Sequence, residues 1–333
     1  MITVIIVSRN RKVYLQEALG SLMNQTFRHF EVILIDNASS DPTRSFVESV
    51  TMPGINLKKV LLTEERTISY CRNYPVRHQL LDCNSTHVYF LDDDDAILAN
   101  TLQRVTRAFK TPEIQVVTTN AVPVFCQGNM LPGFYRYISF KSMVRHLYRA
   151  YWVRWGSLLF AEHTWLLHRH FMAHMLNFFF ERQLVENTPF NDSISYGEDS
   201  LLFAQMQGKV KKARLLPTLF VLYRRHNNNT NAPNNITTKV RVNPLAFSYC
   251  RESYSSEELC LVFGLMYIRQ LFALDNPNFT QADGPMYLHH YRATSASFRL
   301  RLWLFYASHF FYNLLRGSAR AVRLLAGSLL RRA

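Results

Sequence analysis

Four consecutive carboxylates, Asp92-Asp93-Asp94-Asp95, follow a short apolar run from Val88 to Leu91. Adjacent like charges repel one another, and Asp is a poor strand residue. Such a run costs stability unless a cation neutralises it. Mg²⁺ and Mn²⁺ prefer oxygen ligands, and Mg²⁺ takes one or two protein carboxylates, completing its shell with water and substrate phosphates. Ligands of open α/β sheets bind beyond the carboxyl ends of the strands. The tetrad therefore points to a metal-bound phosphorylated ligand. The competing reading is an acidic turn that caps the next helix, with Asp95 or Asn100 at the N-cap. A second acidic pair, Glu198-Asp199, follows Gly197 and precedes Leu201-Leu202-Phe203. On residue types alone, helix capping and the helix dipole account for it best.

The elements that must position these groups alternate between strand and helix patterns. Strands are expected over residues 2–8, 30–35, 57–62, 88–91 and 115–125, with helices over 14–25, 43–50, 68–81 and 101–110. That order implies βαβ units around a largely parallel sheet, hence an α/β fold. Residues 131–155 give no clear period, 156–160 reads as a short strand, and 162–184 reads as one long aromatic helix. There is no G-x-G-x-x-G after the first strand and no G-x-x-x-x-G-K-S/T, so neither motif supplies a phosphate site.

The chain has 333 residues, nearly half of them hydrophobic, and a formal charge of +14. It is long enough for a large α/β domain plus an accessory region, and its charge calls for an anionic partner. The five cysteines, Cys71, Cys83, Cys126, Cys250 and Cys260, form no C-x-x-C pair and read as reduced thiols of a cytosolic protein. The opening Ile2–Val7 run lacks the basic region and apolar length of a secretory leader, and no apolar run has the length of a membrane span.

Together, Val4 to Asn10, Gln25-Thr26-Phe27, Glu31 to Asp41, Cys71-Arg72-Asn73, Leu91 to Asp95 and Gly197-Glu198-Asp199 resemble the inverting family 2 glycosyltransferases of the GT-A fold. The resemblance covers about residues 1–230. It implies a glycosyltransferase domain there, with a nucleotide-binding half over about 1–110 and an acceptor half over about 111–230. Residues 231–333 would form a helical, basic C-terminal region. The resemblance implies that Asp36 contacts the nucleotide base, with Ser8 and Asn10 in the same pocket and Arg72 nearby. Asp92 and Asp94 match the D-x-D motif: Asp94 as metal ligand, Asp92 or Asp93 beside the ribose. Asp199 matches the family's catalytic base, which reverses the preference for a cap. His226, in Tyr223-Arg224-Arg225-His226, is a candidate for the metal or a phosphate; Trp155, Glu198 and Arg224 are candidates for acceptor or donor contact.

The implied reaction moves a sugar, hexosyl or N-acetylhexosaminyl, from a nucleotide donor to a hydroxyl of a glycan or lipid-linked acceptor, with Mn²⁺ or Mg²⁺ as cofactor. UDP is the default nucleotide by resemblance. The chain departs from many relatives in having Glu64-Glu65-Arg66-Thr67-Ile68 where a glycine precedes the Arg-Asn pair. A nucleotidyltransferase would use the same kind of metal site. A non-catalytic basic module would explain the charge, but not four carboxylates that repel phosphate in the absence of metal. Nucleic acid is accordingly not expected as a partner; a homo-oligomer is left open.

No acidic residue occurs after Asp283, whereas Arg292, Arg299, Arg301, Arg316, Arg320, Arg323, Arg331 and Arg332 lie among Leu, Phe and Trp residues. A basic helix with such a face suits the cytoplasmic surface of a membrane, although packing against protein is the competing reading. His163, His170 and His174, with His168 nearby, would share one face of the expected 162–184 helix. No carboxylate or cysteine completes a zinc set there, so a surface or groove face is favoured. Trp152, Trp155 and Trp165 suit either sugar stacking or core packing.

Overall fold

In a computed structural model of the chain, residues 1–125, 140–167, 174–194, 197–226, 244–271 and 283–308 are described. His168, His170, Cys126 and the arginines beyond residue 308 lie outside them. Two compact units form: residues 1–154 with 162–252, and residues 155–161 with the chain from 253 onward.

The first unit is built on β1 (Ile2–Ser8), α1 (Lys12–Met23), β2 (Phe30–Asp36), α2 (Thr43–Ser49), β3 (Asn56–Leu61), α3 (Ile68–Arg77), β4 (His87–Asp92), β5 (Ala96–Ile97) and α4 (Thr101–Phe109). It continues with β6 (Val116–Phe125), α5 (Phe140–Leu159, of which the residues from Trp155 belong to the second unit), β7 (Phe178–Glu181), α6 (Arg182–Glu186), α7 (Glu198–Met206), β8 (Ala213–Arg225) and α8 (Pro244–Ser253, of which the last residue belongs to the second unit). The eight strands make one sheet in the order β3-β2-β1-β4-β7-β6-β8-β5. β1 pairs in parallel with β2 and β4, β2 with β3, and β6 with β8, while β7 runs antiparallel between β4 and β6.

Strand alternation divides the core between two faces. Val32 and Leu34 of β2, with Tyr89 and Leu91 of β4, join one hydrophobic cluster with Leu15, Leu19 and Leu22 of α1. Ile33, Ile35, Val88 and Phe90 join the other, with Trp165, Phe178, Phe180 and Phe203. Burial on both faces explains why β1, β2 and β4 read as continuous apolar runs. The edge strand β3 instead carries Lys58 and Lys59, the charges that discourage further pairing.

The expected helix over 162–184 is not formed. Residues 161–163 make a 3₁₀ turn, 164–167 are helical, 175–177 make another 3₁₀ turn, and Phe178–Glu181 is β7. A short aromatic run has no periodicity that separates helix from strand; Tyr89 stacks on Phe179 across the β4–β7 pair at 3.9 Å and fixes the strand. The shared histidine face is lost with the helix, and His174 stacks on Tyr223. Of residues 156–160, expected as a strand, 156–159 form the end of α5, and the Phe160 amide donates to Gly156 O just past it. Helix α3 stops at Arg77 rather than 81. Gln79 takes φ 51°, and the Leu80 and Gln79 amides donate to Pro75 O and Val76 O, a Schellman ending on a non-glycine residue. Trp152 and Trp165 are core residues. Cys71, Cys83, Cys250 and Cys260 are free thiols.

The second unit contains α9 (Ser256–Leu271), α10 (Asp283–Ala293) and a helix over residues 296–308. Phe160 packs on Phe298 and Phe305, and Arg301 donates to Leu159 O while lying over the Phe160 ring. A Cβ at Gly264 would come within 2.7 Å of the Tyr306 ring, so only glycine admits that close approach. Among the described residues no helix is long and apolar enough to cross a membrane.

Candidate active site

Parallel pairing brings the carboxyl ends of β1 to β4 to one edge. Ser8 lies opposite Asp36, Val7 opposite Asp92, and Asp36 opposite Leu61. From β1 the sheet extends through β2 on one side and β4 on the other, and a crevice at such a switch is where α/β sheets bind ligands. Ser8 Oγ spans it, donating to Asp93 Oδ2 at 2.7 Å.

Two loops on the β1–β2 side are tied together. The Asn10 amide donates to Ser39 Oγ, and the Ser40 amide donates to Asn10 Oδ1 at 2.8 Å. Asn10 and Ala38 both have positive φ, 52° and 53°. For a residue such as Ala38 this costs roughly 1–2 kcal/mol, a strain held by the cross-bracing. Asp36 is fully buried; its Oδ2 accepts from the Ser39 amide and Arg44, and its Oδ1 has no hydrogen-bond partner among the described residues. An orphaned buried carboxylate oxygen needs a donor from elsewhere.

The four tetrad carboxylates take different partners. Asp92 accepts from Arg72 at 2.7 Å. Asp93 Oδ1 and Asp94 Oδ2 both accept from one nitrogen of Arg11, each at 3.0 Å. Asp94 Oδ2 is also 3.0 Å from His226 Nε2. Asp95 turns into the protein, where its Oδ1 accepts the Arg224 amide at 2.8 Å and holds the end of β8. Neither side chain suggested as a cap serves as one: Asn100, the residue ahead of α4, makes no side-chain capping bond, and Asp95 lies before β5. An acidic turn that merely starts a helix does not account for this arrangement.

Arg72 joins the tetrad to the second acidic pair. Its other terminal nitrogen donates to Glu198 Oε1 at 2.8 Å. Gly197 enters α7 with φ 72°, a left-handed turn that favours glycine, so Glu198 and Asp199 occupy the first turn. Asp199 Oδ1 accepts from the Ser200 amide at 2.7 Å. Arg224 is 1% exposed; its guanidinium ion-pairs with Glu17, donates to Asp94 O at 3.0 Å and lies over the Tyr14 ring. The Tyr14 ring also packs on His226. Trp155 belongs to the segment 155–161 of the second unit.

The electrostatics are those of a site with too few cations. Burial, opposed by Arg11 and reinforced by Asp94, pushes the Asp93 carboxyl up to about 6. Burial raises Asp92 and Glu198 despite Arg72, and raises Asp95 well above the ordinary carboxylate range, with Asp94 and Asp92 adding to it. The Arg72 guanidinium is itself raised: burial would lower it, but Asp92 and Glu198 outweigh that. A hard carboxylate and an imidazole converging at 3.0 Å are a donor set suited to Mn²⁺, so the residues fit the expected ion.

The structure thus brings together Ser8, Arg72, Asp92, Asp93, Asp94, Glu198, Arg224 and His226, with Asn10 in the adjoining loop and Asp36 at the end of β2. Sequence reasoning missed Arg11, Glu17 and Arg44. The signal for Arg11 was available: a basic residue just past a strand's carboxyl end, in a site that four aspartates leave short of positive charge.

Residues 3–176, just over half of the chain, match the family model "Glycosyl transferase family 2". The chain is 27% identical over 220 residues to the minor teichoic acid biosynthesis protein GgaA of Bacillus subtilis, covering 64% of this chain and 44% of that one. It is 33% identical over 101 residues to a GalNAc(5)-diNAcBac-PP-undecaprenol beta-1,3-glucosyltransferase of Campylobacter jejuni, covering 30% and 32%. The chain thus spans less than half the length of these curated relatives. Residues 1–349 of S. aureus TarS in complex with UDP superpose with a TM-score of 0.55 at 17% identity, over 87% of this chain and 78% of that one. That likeness shows the fold, a mixed α/β GT-A sheet with a helical C-terminal region. The chain belongs to glycosyl transferase family 2.

Proposed function

We propose that the chain transfers a sugar from a nucleotide donor, with UDP as the expected nucleotide, to a hydroxyl of a glycan or lipid-linked glycan, inverting the anomeric centre in a divalent-metal-dependent reaction. One observation carries the reading: Arg72 is held between Asp92 at 2.7 Å and Glu198 at 2.8 Å, so the carboxyl end of β4 and the start of α7 form one acidic cleft. The named relatives support it too, GgaA by its role in teichoic acid synthesis and the Campylobacter protein as a glucosyltransferase on a lipid-linked substrate.

In this reading Asp36 Oδ1 accepts a base N–H, while Ser8 and Asn10 shape the pocket floor. Asp92 and Asp93 border the ribose. Asp94 and His226 would hold Mn²⁺ or Mg²⁺, which when bound offsets charge on the departing diphosphate. Arg72 keeps Asp92 and Glu198 in place, and Arg224 fixes the backbone beneath Asp94. Asp199 takes the proton from the acceptor hydroxyl, a weak nucleophile that needs a base within hydrogen-bond reach. Attack opposite the leaving group on an oxocarbenium-like centre gives inversion. A screen of nucleotide sugars with product analysis tests the reading: release of nucleoside diphosphate supports it, and release of pyrophosphate would make the chain a nucleotidyltransferase.

The second unit suggests where the acceptor is met. The helix over 296–308 buries Phe298, Leu302, Phe305 and Tyr306, but leaves Leu300 and Trp303 60% and 63% exposed, beside Leu304. In a stretch that carries arginines and no acidic residue, such a face fits an anionic membrane surface. Flotation with anionic vesicles should show the full chain bound, and L300S/W303S/L304S released with its fold intact; equal binding by both excludes this face.

A further inference from the structure

Among the described residues three guanidiniums reach the acidic cleft, and they are not held alike. Arg72 is shared with Glu198 and its side chain is 6% exposed; Arg224 is shared with Glu17 and is 1% exposed. Withdrawing either would also break an ion pair to a second, largely enclosed carboxylate, Glu198 at 14% or Glu17 at 7% exposure, a costly outcome. Arg11 differs. Its side chain is 31% exposed, it sits just ahead of α1, and its contacts in the cleft are Asp93 and Asp94. One nitrogen lies 3.0 Å from Asp93 Oδ1 and 3.0 Å from Asp94 Oδ2, the bridging position a cation would take between two carboxylates.

Asp94 Oδ2 is also the oxygen that meets His226 Nε2. An ion using that oxygen and the imidazole would face the Arg11 guanidinium at short range, where two cations repel strongly. We infer that Arg11 is a tethered competitor for the divalent ion: the ion displaces its guanidinium from Asp93 and Asp94, and the released guanidinium pairs with the diphosphate of the donor. A guanidinium fork matches phosphate oxygens as well as carboxylates, so the exchange replaces one charge-assisted pair with another. Metal binding without nucleotide is thereby held down, and metal and nucleotide favour each other's arrival.

This inference rests on the metal-dependent reading above. Mn²⁺ binding by the full chain is therefore measured without donor or acceptor, by calorimetry or by the electron spin resonance of free Mn²⁺. Arg11→Gln is expected to bind Mn²⁺ alone at least about fivefold more tightly, and UDP at saturating Mn²⁺ at least about fivefold more weakly, as for loss of one charge-assisted pair. Arg9→Gln removes a nearby charge that pairs instead with Glu65, and is expected to change Mn²⁺ affinity by less than about twofold, as for a surface pair. If Arg11→Gln does not fold, Arg11→Lys, which keeps the charge and loses the fork, should move both affinities in the same directions by less. Unchanged or weaker Mn²⁺ binding in the folded variant, or UDP binding that does not fall, overturns the exchange and leaves the metal reading standing. Absence of Mn²⁺ binding in both the unaltered chain and Arg11→Gln overturns both.

Discussion

At the amino-terminal edge of the parallel strands, Glu31 is wholly buried, yet it accepts from Thr3 Oγ1 at 2.6 Å, the Asp82 amide at 2.7 Å and Lys58 Nζ at 2.8 Å. At the carboxyl edge of the same strands, Asp93, Asp94 and Asp95 are almost as deeply buried, but they crowd one another, and burial drives Asp93 and Asp95 upward. Residue class and burial are the same at the two edges. What differs is the crowding: the carboxyl-edge acids raise one another, and Asp95 Oδ2 has no hydrogen-bond partner among the described residues. A buried acid with its donors in place is part of the scaffold, whereas buried acids packed against one another call for a ligand that offsets their charge.

That contrast can be broken by substitution. At the carboxyl edge, Asp199→Asn should lower turnover by about 10³-fold or more, the scale of a lost general base, with donor affinity little changed; a calorimetric titration beside a nucleoside diphosphate release assay separates the two. Asp94→Ala should weaken Mn²⁺-dependent UDP binding by about 10²-fold, as expected for a lost metal ligand, with the metal-free baseline unaltered. At the opposite edge, Glu31→Ala should cost about 2 kcal/mol in a urea titration, because Thr3, Asp82 and Lys58 lose their acceptor, while turnover per folded molecule stays the same. A Glu31 variant that lost activity without losing stability would erase the distinction between the edges.

Smaller effects sharpen it through pH. The Asp93 carboxyl is raised to about 6 in the folded chain, so its favourable contribution to stability is present below the ordinary carboxylate range and is lost as pH rises through 6. Asp93→Asn should therefore melt about 2–4 °C higher than the unaltered chain at pH 7.5, and the gap should close as pH falls below 6. At the opposite edge, burial pushes His87 down to about 4, with the N-terminal amine adding to it. Its contribution is present above about 6.5 and is lost as pH falls toward 4. His87→Gln should flatten that acid limb in urea midpoints measured between pH 7 and 4.

Much of this was legible in the sequence because the strands of the first unit are buried on both faces and so read as unbroken apolar runs. The tetrad stood out for the same reason it now stands apart from Glu31: four like charges in sequence have no inexpensive structural explanation. Glu198 and Asp199 were less legible, since a helix start and a catalytic position call for the same residues; the Arg72 bridge separates Glu198 from a simple cap. Residues 162–184 misled because Phe178-Phe179-Phe180 suits a helix until β4 and β6 are found on either side of it. The Schellman ending of α3 was hidden because Gln79, not glycine, takes the left-handed position. Arg11 went unassigned because its role depends on residues 82 and 83 positions away, a pairing that only the sheet creates.

The most direct test is anomalous diffraction at the manganese edge from crystals of the full chain grown with Mn²⁺ and UDP. A peak is expected within coordination distance of an Asp94 oxygen and the UDP phosphates, with the base N–H against Asp36 Oδ1. A nucleotide bound elsewhere, or a peak absent from the Asp93–Asp94 edge while UDP occupies it, would contradict the claim that this edge is the metal and donor site.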